Sequence, residues 1–385
     1  SYNEGQSWEL ISPDLTRNDP SKLGPSGGPI TKDNTAVEYY CTIFAVAESP
    51  YEKDLIIAGS DDGLLHITKD AGKTWTKITP PGIPEWTMFN SVEFDPFVKG
   101  GAYVAATGYK QGDYHPYLYK TKDYGKTWTK IVDGIDPTHF TRVVRADPKR
   151  AGLLYAGTEF GMYISFDDGA SWKPFQLNLP IVPITDLTIK NDNLIAATQG
   201  RSFWLIDDIT PLHQLNETIS KSDVHLFKPM PSYRMNGGQA GRRDQPKNEG
   251  ANHPGGVMIH FFLKDTIKVV ASLEIMKKNG MLIKKFATKP NKKENEEALK
   301  IKPNMNRFVW DMHYADAEGF DGLIMWAGSL TGPKAIPGTY KARLIVNGKV
   351  SETEFEIVKD PRTSGTISDI KDQFDFSIAV RDKLS

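Results

Sequence analysis

Four carboxylates stand in segments that could present them to a ligand: Glu85, Asp113, Glu159 and Asp186. Cleavage of a sugar linkage needs two such acids facing each other. They lie about 5 Å apart for retention and about 6.5–9.5 Å apart for inversion. Arg142, Arg145 and Arg201 offer guanidinium groups for a ligand carboxylate. Arg142 and Arg145 are an odd interval apart, so a regular strand would send them to opposite faces. Aromatic side chains gather beside the acids: Trp86, Tyr109, Tyr114 and His115 lie in loops between strand signals, and Phe160 is a further ligand-binding candidate near the same mouth. Such rings suit sugar faces and peptide side chains alike. Most of the aromatics read as core packing, and the loop positions are the binding candidates.

Other chemistries find no support. The eight histidines show no ligand spacing, so no metal site is expected. The glycine-rich stretches lack the Lys-Ser/Thr ending of a phosphate loop, and no serine sits in a nucleophile elbow. No cofactor is expected. Cys41 is the single cysteine and reads as a small buried hydrophobe on a strand. With 47 basic and 48 acidic residues, net charge −1, nucleic acid is disfavoured as the main partner. No apolar run has the length of a bilayer span.

The elements that must position these residues are announced by a repeated motif. Thr68-Lys69-Asp70-Ala71-Gly72-Lys73-Thr74-Trp75 recurs as Thr121-Lys122-Asp123-Tyr124-Gly125-Lys126-Thr127-Trp128. It recurs again as Ser165-Phe166-Asp167-Asp168-Gly169-Ala170-Ser171-Trp172. A degraded copy is Ser1, Asn3, Gly5, Ser7, Trp8. The Ser/Thr and Asp oxygens favour a tight turn by bonding nearby backbone N–H groups. Gly takes a positive φ there. Each copy is expected to be a hairpin turn pinned to its own unit by an inward indole. A calcium loop is the lesser reading, because the alternating oxygen ligands and terminal Glu are missing. Short apolar runs flank every copy, giving four strands per unit. Units of this kind repeated radially are β-propeller blades.

The motif resembles the Asp-box of sialidases, sortilin-type receptors and xyloglucan-cleaving propellers. Asn193–Leu212, Asn306–Met312, Pro337–Leu344 and Val358–Arg362 add to the likeness. Together they resemble the C-terminal portion of secreted bacterial sortilin-like BNR/Asp-box repeat proteins, often labelled glycosyl hydrolases. That resemblance implies structural roles on the outer rim for Asp70, Gly72, Trp75, Asp123, Gly125, Trp128, Asp167, Gly169 and Trp172. It implies a secreted, periplasmic or cell-surface bacterial protein, which the cysteine poverty fits.

The expected organisation is all-β. Residues 1–212 form propeller blades of an incomplete ring, with N-terminal blades supplied by the same gene product. Residues 213–255 are a connector, in which Arg242-Arg243 reads as solvated loop. Residues 256–360 form an immunoglobulin-like sandwich of about seven strands with a hairpin at Asn347-Gly348. Residues 361–385 start a helix capped at Thr366–Asp369. Pro13–Val37 is a functional candidate by its length. The first functional reading is an exported binding or scaffolding module for a protein, peptide or glycan. The alternative is a glycoside hydrolase acting across the propeller face.

Overall fold

The computed structural model describes residues 1, 3–33, 39–235, 250–266, 269–291, 296–320 and 322–385. It divides into two compact units, Ser1–Asp207 and Asp208–Ser385. Residues 242–243 lie outside the described residues.

In the first unit a small hairpin, β1 (Ser26–Gly27) and β2 (Lys32–Asp33), precedes four antiparallel sheets. Sheet 1 is β3 (Ile43–Glu48), β4 (Ile56–Ser60), β5 (Leu65–Thr68) and β6 (Thr76–Lys77). Sheet 2 is β7 (Met88–Phe94), β8 (Ala102–Gly108), β9 (Asp113–Thr121) and β10 (Thr129–Lys130). Sheet 3 is β11 (Thr141–Ala146), β12 (Leu154–Thr158), β13 (Gly161–Ser165) and β14 (Lys173–Pro174). Sheet 4 comprises, among the described residues, three strands, β15 (Ile184–Lys190), β16 (Asn193–Thr198) and β17 (Phe203–Ile206). Strand order follows chain order in each, and each first strand packs on the first strand of the next sheet. This is the arrangement of β-propeller blades.

The repeated motif forms the turn between third and fourth strands. The Asp70 carboxylate accepts from the Thr74 N–H (2.9 Å) and hydroxyl (2.7 Å), and the Thr68 hydroxyl accepts from the Gly72 N–H (2.9 Å). Asp123 and Asp167 repeat the pattern. The threonine bonds hold Asp70 and Asp123 down to about 2. Two successive residues take positive φ in every copy, such as Tyr124 (62°) and Gly125 (78°).

The indoles do not pin their own unit. Each donates to the preceding repeat: Trp75 to the Ile11 carbonyl (2.9 Å), Trp128 to Ile78 (2.7 Å), Trp172 to Ile131 (2.8 Å). Each acceptor stands three residues after the previous motif's tryptophan. The motif glycine faces the same isoleucine; a Cβ on Gly125 would lie 2.7 Å from Ile78. The motif is therefore a clasp between neighbours, and its glycine provides the close approach. Trp8 departs from expectation. Its turn reproduces the hydrogen bonds, with Ser7 N–H on Asn3 and Gly5 N–H on Ser1, but its indole is 80% exposed. Cys41 also departs: it precedes β3 at φ 66° and is half-buried.

The second unit packs two sheets around a core containing Trp310, Tyr340 and Phe355. One sheet is β18 (Val224–Leu226), β20 (Val257–Leu263) and β24 (Asn304–Trp310). The other runs β19 (Ser232–Tyr233), β26 (Lys349–Val358), β25 (Gly338–Val346), β21 (Ala271–Lys277), β22 (Leu282–Ala287), β23 (Glu297–Ala298). The segment read as a connector thus contributes β18 and β19 and holds α2 (Glu217–Ser220), while α1 (Thr210–Gln214) starts within the residues read as propeller. Its strands were too short to show a period. Asn347 and Gly348 make the expected turn at φ 48° and 83°. Helix α3 (Ile367–Leu384) starts at the capping box of Thr366 and Asp369, and Phe374 packs on Tyr314.

Candidate functional site

In an antiparallel blade, the turn between second and third strands lies at the same end as the entry to the first strand. Three such ends bring the candidate residues to one face of sheets 1–3. Entry segments supply Tyr40, Glu85, Trp86 and Phe140; second-to-third-strand turns supply Tyr109 and Gln111, then Glu159 and Phe160. The opposite end carries the repeated motifs.

Two aromatic groups form there. Tyr40 meets Trp86 edge-on at 5.5 Å, and Arg17 and Lys22 cover the indole at 5.3 and 5.8 Å. Trp86 has φ 63°, a conformation costing about 1–3 kcal/mol that persists only where the surroundings impose it. In the second group Tyr109 stacks on Phe140 at 5.4 Å, and Tyr114 tilts against Phe140 at 6.1 Å. The Arg142 guanidinium lies over Phe140 (5.2 Å) and Tyr109 (5.6 Å). His139 meets Phe160 at 4.9 Å. The groups connect through neighbours on one turn: Gln111 donates to the Tyr40 hydroxyl (3.0 Å) and Lys110 lies over the Tyr40 ring. Tyr114 and Phe160 keep much of their rings in water.

Each candidate acid is engaged. Glu85 is exposed and 3.4 Å from Arg17. Glu159 accepts from Arg142 Nε at 2.7 Å. Asp113 accepts from the Tyr117 hydroxyl (2.5 Å) and contacts His115 Nδ1 (2.7 Å). Burial raises its affinity for a proton, but the Tyr117 and His115 bonds outweigh that and hold its carboxyl below the usual range. Asp186 accepts from Arg145 (2.6 Å) and its neighbour's N–H. It does not join the aromatic groups, and neither does Arg201, which bonds the Gly200 carbonyl.

Arg142 and Arg145 do not alternate as a regular strand would have them. Every first strand breaks register at one place, after Ile43, Phe89, Thr141 and Ile184. The extra residue is Arg142 in β11, so Val143 and Val144 are both buried while both arginines stay half-buried.

Sequence reasoning missed Glu93. It lies 3.7 Å from Arg145, beside a cavity of about 180 Å³ lined by Tyr51, Glu93, Arg145 and Thr188. Burial pushes its carboxyl up to about 7, against the pull of Arg145. Glu93 and Arg145 each stand four residues past the register break of adjacent first strands, and only the folded chain shows that break. Arg17, Lys110 and Phe140 were missed because their role depends on which rings they cover. Among the described residues no group of three metal-ligating side chains occurs, and no helix is long and apolar enough to cross a membrane.

The chain matches no protein-family model. Over 104 residues it is 31% identical to an oligoxyloglucan-reducing end-specific xyloglucanase of Emericella nidulans, covering 26% of this chain and 12% of that enzyme. Among solved structures, YCF48 bound to D1 peptide is similar with a TM-score of 0.34 at 20% identity, over 43% of this chain and 52% of that one. The GH74 xyloglucanase from Xanthomonas campestris gives a TM-score of 0.34 at 15% identity, over 57% and 35%. The chain spans about half or less of each of these proteins.

Proposed function

We propose that the loop face of sheets 1–3 is a binding surface for an extended protein, peptide or glycan ligand, in a protein that works outside the cytoplasm. The observation behind this reading is the pair of exposed rings, Tyr114 and Phe160, flanking the Arg142–Glu159 ion pair. Rings supply area with little rotamer freedom to lose, and the ion pair supplies directed polar contacts. The acids of this face are held by cations and hydroxyls, which suits recognition better than proton transfer. The test is a screen of peptide and glycan libraries, repeated with Tyr114→Ala/Phe160→Ala. A retained ligand lost in the variant, with unchanged melting, supports the reading. A screen in which neither library yields a ligand overturns it.

The local match to a xyloglucanase favours a second reading, hydrolysis of a β-linked glycan. Release of new reducing ends from xyloglucan oligosaccharides, abolished in Glu159→Gln or Asp113→Asn, would replace binding by cleavage.

A further inference from the structure

Arg145 and Asp186 are set apart from the loop face, yet they meet each other at the far ends of the first strands. Counted from the register break of each first strand, the fourth residue on is Ala47 in β3, Glu93 in β7, Arg145 in β11 and Thr188 in β15. Three of these four positions line the cavity of about 180 Å³, and Tyr51, in the turn after β3, lines it too. A single water needs only about 10–15 Å³. All of the lining comes from sheets 1–4 and the turns between their strands. The repeated motifs join third and fourth strands, whereas this cavity lies among first strands, clear of the clasps.

The two charged groups of the lining are unequally satisfied. Arg145 donates from Nε to the Leu187 carbonyl (2.6 Å), from Nη1 to the Ser91 hydroxyl (2.8 Å) and the Val144 carbonyl (2.9 Å), and from Nη2 to Asp186 (2.6 Å). Four of its five N–H groups are engaged, which leaves no fork for an anion. Glu93 receives less. Arg145 Nη1 lies 3.7 Å from its Oε2, within reach of an ion pair but too far for a hydrogen bond. The charge of Arg145 and the Ala146 N–H favour the ionised carboxyl, Asp186 opposes it, and burial outweighs the help. From sheet 1 the Tyr51 phenol faces Glu93 and Asp95 and is held protonated, chiefly by burial and then by both acids. Around Arg145 two carboxylates, Glu93 and Asp186, share one guanidinium, so the cavity is one positive charge short.

We propose that this cavity binds a small molecule carrying a primary ammonium group, at a site separate from the loop face. The ammonium supplies the missing charge, and its three N–H donors suit the Glu93 carboxylate and the Thr188 hydroxyl. The Tyr51 ring, half in water, offers a face for the cation. Glu93 takes the charge rather than Asp186, which already accepts from Arg145 and from the Leu187 N–H. A bare metal ion suits the lining less well, since among the described residues no three metal-ligating side chains gather.

The experiment is calorimetric titration of the full chain with butylammonium chloride, with potassium chloride and tetramethylammonium chloride as competitors. Wild type binds butylammonium about tenfold more tightly at about pH 8 than at about pH 6, because Glu93 must give up its proton before the ammonium enters. Glu93→Gln binds about tenfold more weakly at the higher pH and loses the pH dependence. Tyr51→Leu weakens binding about two- to fivefold and keeps the pH dependence. This second variant and the wild-type profile do not rely on Glu93→Gln folding. Wild type that fails to bind, or binds equally at both pH values, overturns the proposal. So does an affinity that Glu93→Gln retains, or displacement of butylammonium by an equal concentration of either competitor. None of these outcomes bears on the loop face.

Discussion

The two ends of the blades are built on opposite rules. At one end the same turn is made three times, with the same hydrogen bonds and the same reach of indole to isoleucine. At the other end no two segments agree: the entry to sheet 2 offers Trp86 under two cations, the second-to-third-strand turn of the same sheet offers Tyr109 and leads to Tyr114, and that of sheet 3 offers Glu159 and Phe160. The repeated end carries architecture, since any change there would alter a joint. The varied end is free to differ because its turns do not set the spacing of the sheets, and that freedom is where recognition can reside.

The contrast can be broken most forcefully at the clasps. Trp172→Ala should cost about 3–5 kcal/mol, since the ring is buried and its bond to Ile131 is lost. Trp75→Ala should cost clearly less, because that residue is only partly buried. Urea unfolding ranks them, and an equal loss would show that burial does not set the strength of the clasp. Glycines sharpen the comparison. Gly125 and Gly112 share positive φ, 78° and 75°, but a Cβ on Gly125 meets Ile78 whereas one on Gly112 meets nothing within 4 Å. Gly112→Ala should cost about 1 kcal/mol for backbone strain alone. Gly125→Ala should cost about 2–4 kcal/mol once overpacking is added. Similar losses would show that the motif glycine serves φ only.

Titration separates the clasp acids from Glu93. Glu93 has its proton affinity raised in the fold, so its share of stability is complete below about pH 4.5 and is lost as pH rises through about 7. Wild type should therefore lose about 1–3 kcal/mol between pH 5 and 8 relative to Glu93→Gln. Asp70 and Asp123 act in the other sense: their contribution is present above the ordinary carboxylate range and disappears as pH falls through about 2. Thermal melting across pH 2–8 with Glu93→Gln and Asp123→Asn reads both, and a Glu93→Gln profile parallel to wild type removes Glu93 from the account. The smallest effect belongs to the loop face. Tyr114→Ala and Phe160→Ala should stay within about 0.5 kcal/mol of wild type in urea, because neither ring is buried. A larger loss would make these rings structural.

The blades were legible because their signal repeats. Ser/Thr, Asp, Gly and Trp at fixed offsets state a turn, and alternation on either side states strands. What the indole bonds to was not legible, since Ile78 lies 50 residues before Trp128 and only the folded chain joins them. The candidate face was half legible. Trp86 and Tyr109 stood out in loops and lie outside the strands, but Tyr114 and His115, read as loop residues too, lie on β9 at its start, and the register break that reorients Arg142 leaves no mark in residue type. Asp186 was misplaced with the loop face for a related reason: strand position gave its blade, and only the break set its neighbour, Arg145. Strands β18 and β19 were hidden by their length, two or three residues giving no period to read.

Because each tryptophan reaches backward along the chain, every clasp closes on a carbonyl that was synthesised earlier. A blade leaving the ribosome meets its anchor already in place and waits for nothing downstream. The row of sheets can therefore zip in the direction of translation, each finished blade becoming the template for the one that follows.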